Sequence, residues 1–233
     1  MLTLSELAFA CYVYAGVSNY DESYFRFRRV TGGAADLRKS EHRDAMLKWL
    51  RDWGCRQFNT EDHDRASMEI LEWYGEFGVS LFASNWELLR LRDSDLVHVG
   101  QAYERLSIKT AGHRTHAGST YPVSIGPTGA AKILFAIRPH ALPPWDDAIR
   151  RALGYDKSRD AYLSFLRQLR TLLEQLAKSC DREGFQLADL PKVLGRPHST
   201  VPKLIDEYYW VTITRGCKPP DPHTLRRWTN WAC

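Results

Sequence analysis

The sequence predicts an all-α fold, with a length that suits one large domain or a two-lobed helical bundle around a shared cleft. Three observations predict it. Apolar residues recur at helical spacing nearly throughout the 233 residues. Capping residues stand ahead of those runs, and glycines such as Gly54 and Gly154 stand just after them. Alternating strand patterns are scarce, and the best of them, Trp210-Val211-Thr212-Ile213-Thr214, is short.

The elements follow in order. Ser5 caps a helix to about Gly16, with Leu7, Ala10, Cys11 and Tyr14 on one face. Ser18 to Lys39 is irregular and contains Gly32-Gly33. Ser40 caps a helix holding Met46, Leu47, Trp49, Leu50 and Trp53, and a short link runs from Cys55 to Asn59. Thr60, with Asp62 and His63, opens a helix carrying Met68, Leu71 and Trp73. Ser84 or Asn85 starts a short helix through Leu91, and Ser94 caps another to about Leu106. Ser107 to Tyr121 reads as a loop. A helix spans about Thr128 to Ile137, and the next begins near Trp145 or Asp146 and ends at Gly154. The longest helix runs from Ser158 to about Asp181, striped by Leu163, Leu166, Leu169, Leu173 and Leu176. Two shorter helices follow Glu183. We read residues 1–233 as one domain, with 121–154 and 184–233 as distinct functional parts.

Composition narrows the classes. The hydrophobic fraction is 44%, ordinary for a globular protein able to bury a large core. The net charge of +4 and the pI of about 8.8 permit nucleic-acid binding without demonstrating it. The five cysteines, Cys11, Cys55, Cys180, Cys217 and Cys233, are odd in number, scattered and free of CxxC pairs, which fits a reducing cytoplasm rather than a disulfide framework. The apolar stretch Leu7–Val17 is too short to span a bilayer, and no signal-peptide order opens the chain. Eight Trp and eleven Tyr supply a helical core, or surfaces on which bases stack.

The informative stretch is Tyr121 to Gly154. Val123-Ser124-Ile125-Gly126-Pro127-Thr128-Gly129-Ala130 leads into a helix, and Pro144-Trp145-Asp146-Asp147-Ala148-Ile149-Arg150-Arg151 opens the next. A glycine in a tight turn accepts positive φ, and free N–H groups at a helix start bind phosphate. A carboxylate fixed beside such a grip stabilises the positive charge that builds on a sugar when its glycosidic bond breaks. A plain helix cap is the alternative reading of Asp146, because Asp is a preferred capping residue.

These two segments resemble the hairpin and acid-bearing segments of the helix-hairpin-helix DNA glycosylase superfamily. The register places Gly126 on the second hairpin glycine and Asp146 on the catalytic aspartate, without a gap between them. The resemblance covers about one-seventh of the chain. It implies a glycosylase-like fold that binds double-stranded DNA and flips one nucleotide into a pocket. It implies Asp146 as the catalytic residue, with Ser124, Gly126, Thr128, Gly129, Lys132 and Arg114 on the DNA backbone. Ser124 replaces the first hairpin glycine, and Asp147-Ala148 replaces the usual Thr-His after the acid. Members that also nick the strand carry a hairpin lysine. That position is Thr128, so the expected enzyme is monofunctional, leaves an abasic site and uses no cofactor. Cys180, Cys217 and Cys233 lack the spacing of the family's iron–sulfur ligands. Trp53, Trp73, Tyr74 and Trp145 are candidates to line the base pocket, and Gln57 and Asn59 to read a base edge.

Two further signals stand beside this. Lys109, His113, Arg114 and His116 make the loop before the hairpin basic, and His113-x-x-His116 lacks a partner that would complete a metal site. Leu187–Ile205 resembles a helix-turn-helix, so a non-catalytic DNA-binding regulator is the alternative reading, with a helical interaction protein as a third. The expected setting is cytoplasmic, monomeric and nucleoid-associated, in repair or in phage defence against hypermodified bases such as glucosylated hydroxymethylcytosine.

Overall fold

A computed structural model describes residues 2–82, 87–221, 223, 224 and 227. The described residues form a mostly helical protein. Ten helices span Leu4–Val17 (α1), Tyr20–Thr31 (α2), Ser40–Asp52 (α3), His63–Phe82 (α4), Asp93–Ile108 (α5), Gly126–Ile137 (α6), Asp147–Ala152 (α7), Arg159–Arg182 (α8), Leu190–Val193 (α9) and Val201–Tyr209 (α10).

Local chemistry sets most boundaries. Thr3, rather than Ser5, caps α1: its Oγ1 accepts from the Glu6 N–H at 3.2 Å, and the Glu6 carboxylate accepts from the Thr3 N–H at 2.8 Å. The reciprocal pair satisfies two amides that the first turn leaves free. Ser158 caps α8 by accepting from Ala161 N–H at 3.1 Å, and the leucine stripe from Leu163 to Leu176 is buried along the helix. In α4 the inward face is Ala66, Ile70, Trp73, Tyr74 and Phe77. Met68 is exposed. The expected helix start at Ser84 or Asn85 lies outside the described residues, as does Cys233. The part that follows is a single 3-10 turn, Leu88–Arg90.

Three expectations are overturned. The stretch read as irregular contains α2, whose aromatic face packs on α3: Tyr24 and Phe27 lie 5.7 and 5.4 Å from the Trp49 ring. The basic loop is an antiparallel hairpin, strands Thr110–His116 (β1) and Ser119–Ser124 (β2), turning at Ala117-Gly118. Trp210–Thr214 is not a strand. It continues α10 as a π-helical turn, because the packing of Trp210 against Tyr14 and Tyr20 overrides the β-propensity of this short run.

α6 occupies the centre. Every residue from Gly129 to Ile137 is buried, between α5 and α3. α1 packs on α10 and on the π-helical turn, so the two ends of the described chain meet beside α6. One hydrophobic cluster runs from Leu7 to Ile205.

Candidate functional site

The hairpin seats the start of α6. The Ile125 N–H donates to the Lys109 carbonyl at 2.7 Å, and Gln57 Nε2 donates to the Ile125 carbonyl at 2.7 Å. Asp62 anchors β1 from below, accepting from His113 N–H at 2.7 Å and from Asn59 Nδ2 at 2.9 Å. Those bonds, Asn59 first and then His113, pull its carboxyl down to about 2. Gln57 and Asn59 are therefore braces of the hairpin, a correction to their expected place at a base edge.

Two glycines serve this turn for different reasons. Gly126 has φ +70°, a conformation that residues with a side chain rarely adopt. Gly129 is needed by packing: a Cβ there would come within 2.9 Å of Gln57 Nε2 and of Ile125 Cγ2. Gly129 is buried, whereas Gly126, Pro127 and Thr128 are half-exposed and Ser124 and Arg114 are exposed. The free amides at the head of α6 thus belong to a surface-accessible turn.

Lys132 lies one turn beyond Thr128 on the same face of α6. It is 8% exposed, and its Nζ donates to the Trp53 carbonyl at 2.7 Å. That inward placement corrects its assignment as a DNA-backbone contact.

Asp146 caps α7. Its Oδ1 accepts from the Ile149 N–H at 2.8 Å, so it is an N-cap by geometry. Its Oδ2 has no hydrogen-bond partner among the described residues, and the side chain is only partly buried. Asp147, next to it, is engaged by Arg150 and Arg151.

Asp146 and Lys132 line one cavity of about 170 Å³ with Tyr14, Tyr20, Trp53, Pro144, Asp206, Trp210 and Thr214. Aromatic rings build its wall: Tyr20 lies 6.2 Å from Trp53 and 6.0 Å from Trp210, and Tyr14 meets Trp210 edge-on at 5.2 Å. The Trp53 indole N–H donates to the Tyr20 carbonyl at 2.9 Å, fixing the ring. Of the four expected pocket aromatics, only Trp53 is here. Trp145 is fully buried against Phe165 at 5.2 Å, Trp73 donates to the Ala102 carbonyl at 2.9 Å, and Tyr74 sits in the core. All three are large apolar side chains recruited to packing, as most aromatics are.

Charge surrounds the cavity floor. Lys203 is 2% exposed, with its Nζ 3.0 Å from Asp206 Oδ2 and 4.3 Å from the Tyr14 ring centre. Burial alone would depress this lysine, but Tyr14, Asp206, Glu207 and Asp21 together hold it above the usual range, so it stays charged. Glu207 and Arg196 pair at 2.9 Å behind it, and Arg196 also pairs with Asp21.

Tyr14, Tyr20, Asp206, Trp210 and Thr214 escaped sequence reasoning. Asp206, Trp210 and Thr214 do recur every four residues, the spacing of one helix face. Their meeting with α1 is a tertiary fact.

No protein-family model, curated protein or solved structure matches the chain. Among the described residues, no group of three or more His, Cys, Asp or Glu is placed to hold a metal ion. No helix among them is long and apolar enough to cross a membrane.

Proposed function

We propose that this chain is a monofunctional DNA glycosylase with a helix-hairpin-helix architecture, in which the cavity receives a flipped base and Asp146 serves its N-glycosidic bond. One observation carries the reading: the partly buried carboxylate Asp146 and a residue of the hairpin helix, Lys132, line the same aromatic-walled cavity.

The chemistry follows from the geometry. Aromatic walls stack a planar base, a contribution of about 1–3 kcal/mol per base. A cavity near 150 Å³ takes up benzene, so about 170 Å³ suits one base-sized ring. A base carrying a hexose fits only with its sugar held at the mouth, so glucosylated hydroxymethylcytosine belongs in the substrate panel beside smaller lesions. The Asp146 Oδ2 is free to face the positive charge that develops on the sugar and to take a proton from the attacking water. Outside, the half-exposed head of α6 offers amides to a phosphate, with Ser124 and Arg114 beside it. Lys132 lines the cavity with its Nζ tethered to the Trp53 carbonyl.

The helix-turn-helix alternative is weakened by α10. Its residues are buried or only partly exposed, which leaves little side-chain surface for a groove.

The test uses duplexes carrying alkylated, oxidised, mismatched and phage-type modified bases, with abasic sites read by alkaline cleavage and released bases by mass spectrometry. Wild type is expected to release at least one base. Asp146→Asn keeps the cap, since Asn caps as well as Asp, yet is expected to slow release on the order of 10²–10⁴-fold. No base released from the panel, or a fully active Asp146→Asn, overturns the reading. Borohydride is expected to trap no covalent complex; trapping that depends on Lys132 would make the enzyme a strand-nicking one.

A further inference from the structure

We infer that Asp206 is a second catalytic carboxylate, the general acid that protonates the departing base while Asp146 serves the sugar and the water. The inference rests on the glycosylase reading and goes beyond it, because the resemblance assigns one acid and places nothing at residue 206.

Three observations carry it. Asp206 and Asp146 reach the same base-sized cavity from separate elements, one from α10 and one from the turn before α7. The Asp206 side chain is 11% exposed, and one of its oxygens, Oδ2, is committed to Lys203 at 3.0 Å. The other, Oδ1, has no hydrogen-bond partner among the described residues. Asp206 is also one turn before Trp210, so the carboxyl lies on the face that presents the aromatic wall.

The surroundings of Asp206 favour its protonated form. Burial, opposed by Lys203 and reinforced by Asp146, pushes the Asp206 carboxyl up to about 6, with Lys132 pulling the other way. Around it stand Tyr14 on α1, Lys132 on α6, Asp146 before α7 and Lys203 on α10, while Asp21 on α2 and Glu207 on α10 face Lys203. Asp206 keeps its proton to a higher pH than an ordinary carboxyl does.

The step balances. The C1′–N bond breaks with its electrons going to the base nitrogen, which takes the proton from Asp206. Water oxygen bonds to C1′ and passes a proton to Asp146. The products are the neutral free base and the abasic sugar. A proton returned through solvent from Asp146 to Asp206 resets the site.

The test compares single turnover by wild type, Asp146→Asn, Asp206→Asn and Asp206→Glu on two duplexes. One carries hypoxanthine, whose departure needs a proton. The other carries N7-methylguanine, already cationic, which leaves as a neutral molecule. Asp206→Asn is expected to lose on the order of 10²–10⁴-fold on the first and little on the second. The fall in the wild-type rate as pH rises through about 6 is expected to vanish in Asp206→Asn and to return in Asp206→Glu. Thermal melts and binding to abasic-site DNA verify that the variants are folded. An Asp206→Asn enzyme with the wild-type rate and pH profile on hypoxanthine overturns the inference while leaving Asp146 intact. Equal losses on both duplexes overturn it as well, leaving Asp206 a positioning residue. If wild type releases neither base nor any other in the broader panel, the glycosylase reading itself falls.

Discussion

At the scale of single residues, the site depends on how α6 is seated. Gly129 packs so closely on Gln57 and Ile125 that a methyl group has no room. Gly129→Ala gains about 1 kcal/mol of helix propensity. It also overpacks a site braced by the hydrogen bond from Gln57 to the Ile125 carbonyl, which typically costs about 1–3 kcal/mol. With two contacts under 3 Å, the clash is expected to win. A net loss of about 1 kcal/mol or more, read from a denaturant midpoint, is the expected outcome, and a stabilised variant would show that the seat is loose. Gly126, Asp146 and Trp53 were legible in the sequence because each follows from local chemistry: positive φ, capping, and a bulky residue at a helix end. Lys132 was legible as a residue but misplaced, because the packing of α6 against α5 and α3 buries the helix from Gly129 to Ile137 on every side. Trp73, Tyr74 and Trp145 looked identical to Trp53 in the sequence, since burial in a core and stacking in a cavity draw on the same side chains.

At the scale of elements, the long periodic helices were legible and the off-core pieces were not. The leucine stripe of α8 reports its buried face directly. The β1–β2 hairpin escaped because only the start of β1, Ala111 and Gly112, is buried: β2 has no buried residue, so neither strand carries an apolar-polar alternation. Its signal was the turn. His116 pairs with Ser119, and the two residues between, Ala117 and Gly118, have φ of +49° and +81°. Positive φ at both central positions is the pattern of the hairpin turn that favours Asn-Gly. Ala117 is the one non-glycine residue described with positive φ, a conformation that costs an ordinary residue roughly 1–2 kcal/mol. Ala117→Asn is expected to stabilise the protein by about 0.5–1 kcal/mol, seen as a higher denaturant midpoint at an unchanged slope. A neutral or destabilising result would mean that the hairpin frays without affecting global unfolding.

At the scale of the whole molecule, the cavity exists because distant parts of the chain close on one another, and a buried charge network ties them. Arg196 joins Asp21 of α2 to Glu207 of α10, and Glu207, with no exposed side-chain surface, also faces Lys203 at 3.6 Å. Burying charge costs several kcal/mol per ion before pairing offsets it, so the network stabilises only while it is complete. The consequences of breaking it are unequal. Glu207→Ala strands two buried cations, Arg196 keeping only Asp21 and Lys203 keeping only Asp206. Lys203→Met leaves Glu207 paired with Arg196 and lets the raised Asp206 carboxyl take up a proton, while the Tyr14 and Trp53 rings, 4.3 and 5.3 Å from the departed Nζ, pack against the thioether. We therefore expect Glu207→Ala to lose about 3–5 kcal/mol of unfolding free energy. Lys203→Met is expected to lose clearly less, both measured by chemical denaturation near pH 7. If Lys203→Met proves as damaging as Glu207→Ala, the ammonium rather than the glutamate holds α1, α2 and α10 together around the cavity.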